Sequence, residues 1–161
     1  MSQTSYSQYA TIAFAGMRAD NGQMDVHSAV NEGATAVPFG AIVKRGTVDR
    51  SAELLTDPLE SALAYGLSLH SHAYGVPDEL DKGTPGGVAQ ESMLSVLREG
   101  RAYVAVEGAV APGGSVWMNP DGSGFAAADG GGYVDVSANC GFITTTTAAG
   151  FAVLEVDFRT V

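Results

Sequence analysis

The chain has 161 residues, the size of one ordinary domain, and a core of that size folds without a metal or disulfide staple. Apolar residues make up 45% and charged residues only 16%, and 18 acidic against 8 basic side chains leave a formal charge of −10. Nucleic acid and anionic membranes are bound through Lys and Arg, so this balance disfavours both. No apolar run nears the ~20 residues of a membrane span, the first ten residues (MSQTSYSQYA) lack the basic and apolar regions of a signal peptide, and the single Cys140 cannot close an internal disulfide. The expectation is a soluble, non-secreted, acidic single domain.

Residues 1–35 are rich in Ser, Thr, Gln, Asn and Gly, with one apolar cluster, IAFAGM at 12–17. No amphipathic period runs through them. They read as an extended N-terminal arm, packed across its own domain or laid along a partner. Residues 36–161 read as the β-rich domain. Val37, Phe39, Ala41 and Val43 alternate with Pro38, Gly40, Ile42 and Lys44, as in a strand whose proline sits near its start or at an edge. Between Asp49 and Ala64 a helical turn competes, with Asp49 as its cap and Pro58 interrupting it. LAYGLSLH at 63–70 alternates again. SMLSVL (92–97) and RAYVAVE (101–107) flank Arg98, Glu99 and Gly100, a spacing that predicts a hairpin. Val116, Trp117 and Met118 lie between two turn clusters, PGG and NPDG, and YVDV (133–136) follows three glycines. At the C-terminus Ala152, Leu154, Val156 and Phe158 face one way and Val153, Glu155 and Asp157 the other, a half-buried antiparallel strand. Short strands with turns every 8 to 12 residues indicate an all-β sandwich or barrel.

Catalytic signals are thin. His70 and His72 would share one face of a strand, near Asp78, Glu79 and Asp81, but two histidines without a third spaced ligand are a weak metal signal. Cys140 has no neighbouring His, Lys or Arg to activate it and reads as a buried structural thiol. The glycines at 83–87 and 130–132 lack the strand-to-helix context of a phosphate loop and read as turns. DGSG at 121–124 opens like a calcium loop without its downstream Glu. Thr144, Thr145, Thr146 and Thr147 form a β-branched polar run, suited to a solvent-facing strand or to an edge offered to another subunit. No catalytic residue, cofactor or metal site is expected.

Several segments in this order carry a resemblance: IAFAGMRAD (12–20), AVPFGAIV (36–43) with Arg45 and Gly46, YGLSLHSH (65–72), SVLREGRAYV (95–104) and AVAPGGSV (109–116). Together they resemble the structural cement, or decoration, proteins of tailed bacteriophage capsids. The resemblance implies a non-enzymatic, jelly-roll-like or barrel module that clamps major capsid protein subunits on the outer surface of the virion head. It also implies a homo-oligomer, for which a dimer is preferred over a trimer because twofold contacts are commonest. Ile12, Phe14, Met17 and Arg18 in the arm, and Thr144 to Thr147, are the contact candidates, with the arm expected to bind in trans. Another class remains open, a carbohydrate- or receptor-binding β-sandwich on the virion using Trp117, Tyr133, Tyr103 and Tyr74. A cupin-type metal enzyme would need more histidines than His27, His70 and His72.

Overall fold

The computed structural model describes residues 13–71 and 87–159. Among the described residues, twelve strands, almost no helix and one continuous hydrophobic cluster make an all-β domain. Its centre is a closed ring of five strands: β1 (Asp25–Asn31), β4 (Ser51–Leu54), β3 (Ile42–Arg45), β5 (Ala64–Ser68) and β7 (Met93–Val106), with β7 pairing back onto β1. Of the expected architectures, the barrel is the one this chain adopts. Only β1 and β4 run parallel in the ring; the other pairs are antiparallel. On these strands Ile42, Val43, Ala52, Leu67, Val96 and Leu97 are fully buried, consecutive pairs such as Ile42 and Val43 facing opposite sides of the ring wall.

The long strand β7 organises everything else. Its first half closes the ring, while its second half pairs with β12 (Gly150–Asp157), which in turn pairs with β11 (Cys140–Phe142). At its end Val106 meets Phe125 of β9 (Phe125–Ala126), which leads through β8 (Trp117–Met118) to β10 (Val134–Asp135). A separate pair, β2 (Val37–Pro38) with β6 (Gly87–Val88), covers one side. The alternation expected at the C-terminus is present: Ala152, Leu154, Val156 and Phe158 are buried, and Glu155 and Asp157 are exposed.

Three local expectations are corrected. Residues 92–107 are not a hairpin. Gly100, at φ 135°, continues a single strand instead of reversing it, and the pairing with β1 shifts register just before it, at Arg98 between Leu97 and Glu99. A bulge glycine and a turn glycine look alike in sequence; the different partners of the two halves decide between them. The helical turn exists, but as a 3-10 helix at Pro58–Leu63 capped by the Asp57 side chain, since residues 51–54 are taken by β4. Residues 25–31, read as part of the arm, are barrel strand β1. Its buried side carries His27, Ala29 and Asn31 while Val26 and Val30 point out, so its polarity is inverted and no apolar stripe announces it. Asn31, fully buried, is satisfied by donating to the Thr35 and Val88 carbonyls and accepting from the Gly33 N–H.

Candidate functional site

The described residues present surfaces, and among them no group of three or more His, Cys, Asp or Glu side chains is placed to hold a metal ion. Residues 13–19 run along the second half of β7, in line with β1. The Gly16 N–H donates to the Tyr103 carbonyl (2.7 Å), the Tyr103 N–H to the Met17 carbonyl (2.7 Å), and the Ala19 N–H to the Arg101 carbonyl (3.0 Å). On its other side the Gly16 carbonyl accepts from the His70 N–H (2.8 Å). Phe14 stacks on the His70 ring with centroids 5.7 Å apart, and Phe39 packs on the same ring at 4.8 Å. Phe14 and Met17 are half-buried against their own domain, so these two anchors are engaged in cis; Arg18 is exposed, its Nε donating to the Met24 sulfur. Ile12 lies outside the described residues, as do His72, Tyr74, Asp78, Glu79, Asp81 and residues 83–86. His70 is therefore part of an aromatic packing site that holds the docked segment.

The threonine run divides in two. Thr144 Oγ1 accepts from the Val153 N–H, and Thr146 bridges to Val110 while its hydroxyl donates to the Gly108 carbonyl. Thr145 and Thr147 point into solvent. The glycine turn at 130–132 is closed by Asp129, whose carboxylate accepts from the Gly131, Gly132 and Tyr133 N–H groups and is held below the ordinary aspartate range by those bonds. Cys140 is buried, and desolvation pushes its thiol far above the ordinary range. A thiol kept protonated this firmly is not a nucleophile at neutral pH. Among the described residues the aromatics do not gather into a platform. Trp117 and Tyr103 are half-buried in separate strands, and the Tyr133 hydroxyl donates to Glu107 (2.5 Å), which raises its pKa.

Two grooves stand out among the described residues. One, of about 800 Å³, lies over the β7–β12 pairing. Its charges are internally matched: Arg101 pairs with Glu155 and Asp20, and Arg159 with Asp157 and Glu99. The other, of about 630 Å³, lies between β1 and the β3–β4 turn and is lined by Val26, Arg45, Val48, Asp49, Arg50 and Tyr65 among others. Glu32 holds that turn in shape by accepting from the Thr47 and Val48 N–H groups and from the Thr47 and Ser51 hydroxyls. The hydroxyl bonds are foremost in lowering its carboxyl to about 2. Sequence reading missed this second groove. The available signal was two of only eight basic residues, Arg45 and Arg50, bracketing one short turn.

The sequence model of the family described as "Structural cement protein (E217 gp24/Pam3 gp6)" matches residues 2–157. The chain belongs to the phage structural cement protein family. Its fold is also that of a chain in the capsid of Myoviridae phage XM1, with a TM-score of 0.66 at 15% identity, covering 96% of this chain and 98% of that one. No curated protein matches the sequence. Family membership makes this cement protein a structural component of the phage virion that associates with capsid protein, in keeping with a molecule whose features are surfaces and turns.

Proposed function

We propose that this cement protein sits on the outer surface of the phage head and bridges neighbouring major capsid protein subunits, as a homodimer and without catalytic activity. The family match across residues 2–157 carries this reading. A ligand that binds the assembled shell and not free subunits stabilises the shell by mass action. Two linked copies add avidity, so weak individual contacts suffice. The −10 charge opposes non-specific association between copies and suits basic patches on the capsid. Arg18, Thr145 and Thr147 are the exposed members of the proposed contact set. Thr144, Thr146, Phe14 and Met17 adjoin that set in the chain, and Ile12, which precedes the docked segment in sequence, would reach a neighbouring subunit with the arm.

The test is to strip the protein from purified heads and add it back. Bare heads should burst at lower temperature or milder osmotic shock, and re-addition should restore them, while isolated capsid subunits bind poorly. Equal burst thresholds with and without the protein would refute the reading. A trimer in solution and on the head would refute the dimer alone.

A further inference from the structure

The groove between β1 and the β3–β4 turn has a charge that runs against the rest of the molecule. Among the described residues, Lys44, Arg101 and Arg159 each contact two carboxylates. Arg45 and Arg50 contact none, in a chain with 18 acids, and the only acid lining the groove with them is Asp49. Arg45 is nonetheless positioned. Its guanidinium lies 4.8 Å from the centroid of Tyr65, whose hydroxyl is fixed by His27 Nδ1 at 3.0 Å. Arg50 sits at φ 60°, in the left-handed region that a β-carbon disfavours, and its carbonyl accepts from the Val30 N–H (2.8 Å).

The same face is apolar. Eight large hydrophobic side chains are exposed among the described residues; two of them, Val26 and Val48, line the groove, and two more, Val30 and Met93, lie next to it on β1 and β7. Val30 is paired directly with Met93, and Val26 lies four residues away on the same side of β1. Val48, 66% exposed, is the tip of the turn that Glu32 holds through four hydrogen bonds. An exposed apolar tip kept in one shape, beside two unpaired cations, is organised for a partner and contributes little to its own fold.

Resting on the cement reading, we propose that this groove is the docking site for an extended, acidic and apolar segment of the capsid protein: its carboxylates meet Arg45 and Arg50, and its apolar side chains cover Val26 and Val48. A second copy is the poorer fit. A twofold contact through this face would set two arginines of one copy against the same face of the other, where Asp49 is the one acid to offset them.

The experiment measures rebinding of the full chain to heads stripped of it. The double variant Arg45→Gln/Arg50→Gln, and separately Val48→Asp, should bind about tenfold more weakly or worse while keeping the wild-type thermal midpoint. Arg101→Gln/Arg159→Gln, which removes equal charge from the internally matched groove, should bind as wild type. Wild-type affinity should fall as salt rises from about 0.05 to about 0.5 M, and that of the Arg45/Arg50 variant should fall less. Wild-type binding by both groove variants would overturn the proposal and leave the cement reading intact. So would a change in self-association with unaltered binding to heads, which would assign the groove to a second copy. Failure of the wild-type chain to rebind at all would overturn the cement reading, and this proposal with it.

Discussion

Replacing Gly16 by alanine should release the N-terminal segment from the barrel. Gly16 sits at φ 77°, and a β-carbon there would lie 2.7 Å from the His70 nitrogen, 2.8 Å from the Ser68 carbonyl oxygen and 2.9 Å from the Gly40 nitrogen. All three are backbone atoms of packed elements, so none can swing aside as a side chain would. Keeping the segment docked would add the left-handed strain, about 1–2 kcal/mol for an L-residue, to those overlaps. Releasing it relieves both but gives up four backbone bonds, Gly16 N–H to Tyr103, Tyr103 N–H to Met17, Ala19 N–H to Arg101 and His70 N–H to Gly16, each worth about 0.5–1.5 kcal/mol. The loss on release is about 2–6 kcal/mol. With a urea slope of ~2 kcal/mol/M, the midpoint should fall by about 1–3 M. Hydrogen exchange at the Tyr103 amide, which donates to the Met17 carbonyl, should accelerate with it. Gly108→Ala is the control, because a β-carbon there meets nothing within 4 Å; it should be neutral or slightly stabilising. If Gly16→Ala and Gly108→Ala unfold at the same urea concentration with equal Tyr103 protection, the docking of residues 13–19 described above is wrong.

Other consequences are quick to check. Cys140 should resist a thiol reagent at pH 8 in the native protein and react in full on unfolding, since burial keeps it protonated and out of reach; rapid native labelling would contradict that placement. Glu32 has its carboxyl lowered to about 2, so its support of the 46–51 turn is complete above the ordinary glutamate value near 4.5 and is lost as pH falls through about 2. The Thr47 and Val48 amide resonances should therefore titrate with a midpoint near 2, and a midpoint near 4.5 would show the staple to be absent. Phe158→Ala, at a fully buried position beside the Arg98 contact to the Phe158 carbonyl, should cost about 3–5 kcal/mol by chemical denaturation. Arg159→Ala, whose pairs with Asp157 and Glu99 are largely solvent-exposed, should cost under about 1 kcal/mol.

Much of this protein could be read from local sequence. The strict alternation of residues 152–158 gives β12 its buried and exposed sides because a strand repeats every two residues. The PGG, NPDG and GGG clusters punctuate strands because glycine, proline and Asx side chains favour turns whatever surrounds them. Segment order from residue 12 to 116 was enough to indicate the cement family, and the surplus of acids was enough to disfavour nucleic acid. Tertiary structure decided what depends on partners distant in the chain. Gly100 continues one strand where local sequence suggested a hairpin, because β1 and β5 take one half of β7 and β12 takes the other. Residues 25–31 are a barrel strand despite their inverted polarity, because backbone pairing with β4 and β7 fixes them there. Phe14 belongs to its own domain because His70, 56 positions later, provides the ring it stacks on. The groove at Arg45 and Arg50 exists only once β1 and the β3–β4 turn lie side by side, for a run of residues does not show which of its charges will find a partner.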